Sequence, residues 1–319
     1  MPNVVLRTEG LTKRYGSLVA VNDLTLEVVE GEVFGFLGPN GAGKTTAINM
    51  MCGLLKPDAG RVTVRGVSIA EADDEVRARV GVCPQDIVLW ERLTCIEQLQ
   101  FIGQLYGLGG REARGRGERL LQELDLVDKR DQQARTLSGG MQRRLNLAMA
   151  LVHEPEIVVL DEPEAGLDPQ SRIKVREYIQ SLARKKTVIL TTHNMDEAER
   201  LADRVAIIDH GALLVLDTPE ALKCSVGEGD VVEIDLRGRL DGGDEALATV
   251  RPLVSQAALH AEPGRERGLL TVRALNAVGT LPAILAALET SGLQASDVRV
   301  RKNTLEDVFI QLTGRRLRE

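Results

Sequence analysis

The sequence predicts an α/β fold, a mixed sheet carrying a helical subdomain, followed by a small α+β domain. Three observations predict it. Short apolar strands alternate with helices at "EIVVLDEP" (156–163), "TVILTTH" (187–193) and "RVAIID" (204–209), the spacing of parallel βαβ units. The apolar run "VFGFL" leads into a glycine-rich loop that opens a helix near Gly43. Near residue 225 the texture changes, and an independent set of strands and helices begins.

Taken in order, residues 3–9 and 24–37 read as strands with a turn at Glu30-Gly31, and short strands and turns follow around "GRVTVRGVSI" (60–69). A helical insertion, about 87–152, includes "IEQLQFIGQLYGL" and "ERLLQELDLV", and βαβ units return after it. The first domain is therefore read as 1–224 and the second as 225–319. The second holds "VVEIDL", a Gly/Asp turn region, "LLTVRAL", a helix over "TLPAILAALETSG", a strand "DVRVRK" and a closing helix "TLEDVFIQLTG". No obvious chemistry lies in it, which suits an accessory or regulatory module. The 319 residues, 43% hydrophobic and 27% charged, are ordinary for a globular chain. A net charge of −7 argues against nucleic acid as a partner. The four cysteines form no C-x-x-C pair and read as free thiols. No apolar run approaches the length of a membrane span.

"GPNGAGKTT" (38–46) satisfies G-x-x-x-x-G-K-[ST] through Gly38, Gly43, Lys44 and Thr45. Glycines let successive amides curl round an anion, and the helix that follows points its positive end at it. Lys44 adds a charge for the outer phosphates, and Thr45 offers a hydroxyl to Mg²⁺. A nucleoside triphosphate site is expected here. In "IVVLDEPEAGLD", Asp161 ends a buried strand at the sheet edge where ligands collect and can hold Mg²⁺ through water. Glu162, on the other side of the pleat, can polarise an attacking water. His193 ends another buried strand, from which it can bond the γ-phosphate and steady Glu162. Gln85, in "GVCPQD", can reach Mg²⁺ or water while sensing movement of the insertion. His153, His210 and His260 have no such placement.

"TLSGGMQRRLNLAMALV" (136–152) begins a helix at Ser138 with two glycines in its first turn, then shows an apolar stripe of Met141, Leu145, Ala148, Met149 and Val152. Bare amides at a helix N-terminus suit a closely approaching anion. With the loop, Gln85, this glycine signature, the acid pair, "GLDP" and His193 following one another in that order, the chain resembles the ATP-binding cassette family, specifically the ATPase subunits of transporters, over residues 1 to about 222. The resemblance implies a P-loop NTPase cassette, with ATP and Mg²⁺ as cofactors. ATP contacts would come from Tyr15 on the adenine, from Gly38, Asn40, Gly41, Gly43, Lys44, Thr45 and Thr46 in the loop, from Gln85, and from Asp168. Thr45, Gln85 and Asp161 would serve the metal, and Glu162 and His193 the chemistry. Two copies would pack head to tail, so that Ser138, Gly139 and Gly140 meet the partner's nucleotide. Met141 stands where glutamine is commoner in the family. Glu164 and Ala165 replace the small or hydroxyl pair often found there, and Glu164 is expected to face solvent.

The closing "NTLEDVFIQLTG" resembles exporter ATPases of the daunorubicin-resistance and polyketide-antibiotic type. That implies an ATPase bound to polytopic permease subunits at the cytoplasmic face of the membrane. The alternatives are a soluble cassette ATPase acting on ribosomes or DNA, and an importer ATPase. The first is opposed by the single cassette, the absence of sustained heptads and the acidic charge. The second is opposed by the importer's usually strand-rich appended domain.

Overall fold

The computed structural model describes residues 3–70, 74–183, 185–227, 229–237, 243–261 and 267–314. The chain forms two compact units, one ending at Pro219 and the other running from Glu220.

The first unit begins with β1 (Val4–Tyr15), β2 (Leu18–Val29), β3 (Val33–Leu37), α1 (Lys44–Met51), β4 (Ala59–Val64), β5 (Val67–Ser68), α2 (Asp74–Arg77) and β6 (Val80–Cys83). The helical insertion supplies α3 (Cys95–Leu105), α4 (Gly110–Glu123) and α5 (Gly139–Leu151). Then come β7 (Ile157–Asp161), α6 (Pro169–Leu182), β8 (Thr187–Thr192), α7 (Met195–Leu201), β9 (Arg204–Asp209) and β10 (Ala212–Asp217). A six-stranded sheet of order β10-β9-β3-β8-β7-β6 is parallel except at the β10 edge, and β2-β1-β4-β5 form an antiparallel sheet.

The six-stranded sheet is the middle layer, which is why β3, β7 and β8 are buried at every residue. Phe34, Phe36, Val159 and Ile189 pack with β1, β2 and α1, whereas Val33, Leu160, Val188 and Leu190 pack with the helical insertion and α6. Helix starts follow their caps: Thr94 and Glu97 form a capping box for α3, and Asp168 caps α6 with Pro169 at its first position. β1 runs to Tyr15 rather than ending near residue 9, and it pairs with β2 through a hairpin. The sequence hid this because register shifts between Thr8 and Leu11 and between Leu11 and Lys13 break the two-residue alternation.

Across and beyond the boundary lie α8 (Pro219–Ser225), β11 (Asp230–Arg237), α9 (Gly243–Val250), β12 (Gln256–Ala261), β13 (Arg267–Ala274), α10 (Ala277–Thr290), β14 (Gln294–Arg301) and α11 (Leu305–Thr313). The antiparallel sheet β12-β13-β11-β14 buries Val232, Ile234, Leu236, Leu270 and Val272 against Val250, Ile284 and Leu288. The expected turn region after β11 instead contains α9 from Gly243; residues 238–242 lie outside those described.

Candidate active site

β3 delivers the loop at 38–46 from the sheet edge. A Cβ at Gly38 would lie 2.3 Å from the Ile208 carbonyl oxygen, and one at Gly43 only 2.2 Å from that of Ala20. Gly43 also holds φ at 98°, so neither position admits a side chain. Asn40, Gly41 and Thr45 are exposed on the loop and the first turn of α1, with Thr46 half-buried. The buried Lys44 turns its Nζ onto the carbonyls of Gly38 (2.8 Å) and Pro39 (3.0 Å). Burial pushes its pKa down, against the opposing charges of Glu162 and Asp161.

Asp161 is the last residue of β7, 4% exposed, and accepts a hydrogen bond from the Thr191 hydroxyl. Glu162 follows in the left-handed region at φ 46°. This turn, rather than simple strand alternation, swings its carboxylate aside, and its amide donates to Thr191 Oγ1 at 2.9 Å. The two carboxylate oxygens have separate partners. Oε2 accepts from Gln85 Nε2 at 3.1 Å, and Oε1 lies 3.1 Å from His193 Nδ1 and 4.0 Å from Lys44 Nζ. Gln85, two residues past β6, and His193, directly past β8, thus meet Glu162 and Lys44 in one cluster.

Ser138, Gly139, Gly140 and Asp168 form a second group. Ser138 caps α5 through the Met141 amide (3.4 Å), and Asp168 accepts from the amides of Gln170 (3.1 Å) and Ser171 (3.0 Å). Its pKa is held down, first by the Ser171 side chain. The two glycines have different reasons. A Cβ on Gly140 would sit 2.1 Å from Ser171 Oγ, so it is required for α5 to approach α6. Exposed Gly139 has nothing within 4 Å of its would-be Cβ, so no packing contact within the chain requires glycine there. Tyr15 stands at the tip of the β1–β2 hairpin, 51% exposed, with Lys13 Nζ 5.8 Å from its ring centroid. That hairpin reaches the loop through Ala20.

One expectation is corrected. Glu164 does not face solvent: it is 4% exposed and makes a bidentate pair with Arg176 (2.8 and 2.6 Å). Burial of a carboxylate needs such a partner, and Arg176 supplies it from about two turns into α6. Two further groups carry no sequence signal of their own: Thr191 lies inside the buried strand β8, and Arg143 follows the signature glycines on α5. Helix α5 is buried from Arg143 to Leu151, so its apolar stripe was only one part of a fully enclosed surface.

A phosphate loop on a buried parallel sheet, with a strand-end carboxylate held by an amide and an imidazole, defines an α/β nucleoside-triphosphate hydrolase. A family model described as ABC transporter matches residues 21–165. A daunorubicin resistance ATP-binding protein of Streptomyces coeruleorubidus is 39% identical over 100% of this chain and 99% of its own length. A Nod factor export ATP-binding protein of Ralstonia nicotianae is 40% identical over 99% of this chain and 95% of its own. Among solved structures, a dimeric ATP-binding cassette in a post-hydrolysis state with ADP and phosphate superposes with a TM-score of 0.61 at 26% identity, covering 67% of this chain and 98% of that one. The chain belongs to the ABC transporter family, as an ATP-binding and ATP-hydrolysing subunit homologous along its whole length to exporter ATPases. Neither a soluble ribosome- or DNA-directed ATPase nor an importer is favoured by these relatives.

Proposed function

We propose that two copies of this chain pack head to tail at the cytoplasmic face of the membrane and drive export through separately encoded permease subunits. The phosphates of ATP would take the loop amides and draw Lys44 from the carbonyls of Gly38 and Pro39. Ser138, Gly139 and Gly140 of one copy would meet the γ-phosphate held by the other, so that ATP joins the two and hydrolysis parts them. Tyr15 would lie against the adenine, and Asp168 would stiffen the turn beside the signature glycines.

Mg²⁺ suits the residues present. Asp161 offers a buried carboxylate at the strand end and Thr45 an exposed hydroxyl, oxygen donors of the kind Mg²⁺ takes while it keeps several waters and completes its shell with substrate phosphates. Thr45, Gln85 and Asp161 would supply the protein's share, and the ion would neutralise charge on the phosphates. Glu162 would accept the proton of the attacking water, with Gln85 and His193 fixing its two oxygens.

The permease reading is supported by an exposed apolar patch. Ile87, Val88, Trp90 and Phe101 are 40–58% exposed beside Gln85, and the Trp90 and Phe101 rings meet edge to face at 5.1 Å. Among the described residues, no helix is long and apolar enough to cross a membrane, so this proposal puts the pathway in another chain.

The observation that carries the proposal is the double anchoring of Glu162 beside Lys44. Glu162→Gln should keep ATP affinity within about threefold, lose at least about 100-fold in turnover, and elute as a dimer when Mg-ATP is present. Wild-type turnover would remove Glu162 from the role of base. Tagged Glu162→Gln protein recovered from native membranes with ATP should bring down a polytopic membrane protein; a ribosomal or nucleic-acid partner would overturn the transport reading.

A further inference from the structure

Arg143 is 3% exposed and has no carboxylate partner among its described bonds; every one of its hydrogen bonds goes to a backbone carbonyl. Nε donates to Pro163 O (3.2 Å), Nη1 to Pro84 O (2.6 Å) and Gln85 O (2.9 Å), and Nη2 to Asp161 O (2.7 Å) and Glu162 O (2.9 Å). A guanidinium carries five N–H donors in a fixed plane, and here each meets its own carbonyl. β6 and β7 are already paired as far as Cys83 and Leu160. Arg143 continues that tie past the last pair, through the peptides that carry Gln85 and Glu162. Its neighbour Arg144 instead bonds the carbonyls of Leu124 and Asp125 in the helical insertion (2.6 and 3.1 Å). Adjacent side chains of α5 thus grip the catalytic edge and the insertion separately.

We propose that Arg143 is a positioning residue: from the signature helix it sets the backbone of Gln85 and Glu162, and so couples contact at Ser138–Gly140 to the catalytic edge of the same chain. This rests on Glu162 being the base and on the signature meeting nucleotide. Gln85 and Glu162 also touch each other, so a shift of α5 moves both groups together. A purely structural cation would need only to fill the space; this one holds the peptides of the reacting groups and stands three residues from Gly140.

The test uses the full chain. Arg143→Lys keeps the charge, but an ammonium with three donors cannot serve five carbonyls arranged round a plane. Turnover at saturating Mg-ATP should fall about 20-fold, while ATP affinity stays within about twofold and the melting midpoint within about 3 °C. Because part of its action passes through Gln85, the losses of Arg143→Lys and Gln85→Ala should combine to clearly less than their product. Multiplying losses would overturn the proposal, as would wild-type turnover in Arg143→Lys. Arg143→Gln is the second variant; if both substitutions abolish the first unit's melting transition, Arg143 is a folding staple and the proposal is wrong. Glu162→Gln run alongside separates the two claims. Wild-type turnover there breaks the assignment of the base, whereas an inactive Glu162→Gln beside a fully active Arg143→Lys breaks only this inference.

Discussion

Removing Arg176 should unsettle the first unit far more than removing the carboxylate it pairs with. Glu164 is 4% exposed on its side chain and Arg176 21%, so the pair is asymmetric: only the acid is fully withdrawn from water. In Arg176→Met the Glu164 carboxylate keeps only Arg172, 3.8 Å away and 41% exposed. Breaking a buried pair from one side costs about 3–5 kcal/mol, and the remaining contact with Arg172 puts the expectation near the lower figure. For a unit of this size that is a fall of about 6–12 °C in melting midpoint. Glu164→Thr leaves a partly hydrated guanidinium and should cost about 1 kcal/mol. The double variant should be less unstable than the sum of the singles by about 2 kcal/mol, because neither charge is then stranded. Calorimetry on the full chain, following the first unit's transition, measures all four corners of the cycle. An Arg176→Met loss below about 0.5 kcal/mol, or additive singles, would refute the claim that Glu164 is a buried charge dependent on Arg176.

Opposing pH dependences are built into the first unit. His153, stacked on Tyr106 with ring centroids 3.7 Å apart, has its pKa pushed down to about 4 by burial, so stability is full above about 6.5 and falls as pH drops towards 4. Glu197 is pushed up to about 7 by burial, so its contribution is full below about 4.5 and is lost as pH rises through 7. Each is worth up to about 2–3 kcal/mol. Denaturant melts from pH 4 to 7.5 should show that Glu197→Gln makes stability climb more steeply with pH than wild type, and that His153→Phe makes it fall; parallel curves would contradict both shifts. Gly140→Ala should destabilise by about 1–3 kcal/mol through its clash with Ser171, whereas Gly139→Ala should leave melting unchanged and lower Mg-ATP-driven dimerisation, and equal melting losses would refute the distinction. A maleimide should label Cys224 in the native chain and spare Cys52, Cys83 and Cys95, since burial pushes Cys52 up to about 12 and the other two up to about 11; rapid labelling of a second thiol would count against that burial.

The sheet and its loop were legible because their signals are local. A five-residue run such as "VFGFL", apolar throughout and stopped by a glycine loop, is too short for a helix and reads as a strand buried on both faces, and a glycine loop followed by Lys-Thr has one common physical use. The β1–β2 hairpin was half hidden for the opposite reason, since its bulges break the alternation on which strand reading depends. In the second unit, α9 and β12 fell among glycines and acids whose local preference is for turns, and burial of Val250 and packing against β13 override that preference.

The candidate site divides along the same line. Asp161 ends a strand, Glu162, His193 and Gln85 lie within two residues of a strand end, and Lys44 opens a helix, so their placement follows from the order of elements. Arg143 and Glu164 do not, because a charge on a helix or turn reads as solvated until its burial is known. Both are held by partners remote in sequence, Arg143 by carbonyls 18 to 59 residues away and Glu164 by a side chain 12 residues on. Periodicity carries no record of such pairings. A buried charge also tolerates fewer replacements than a surface one, because deleting either partner strands the other. These two buried charges flank Glu162: its carbonyl accepts from Arg143 on one side, and the turn it begins is anchored through Glu164 to Arg176 on the other.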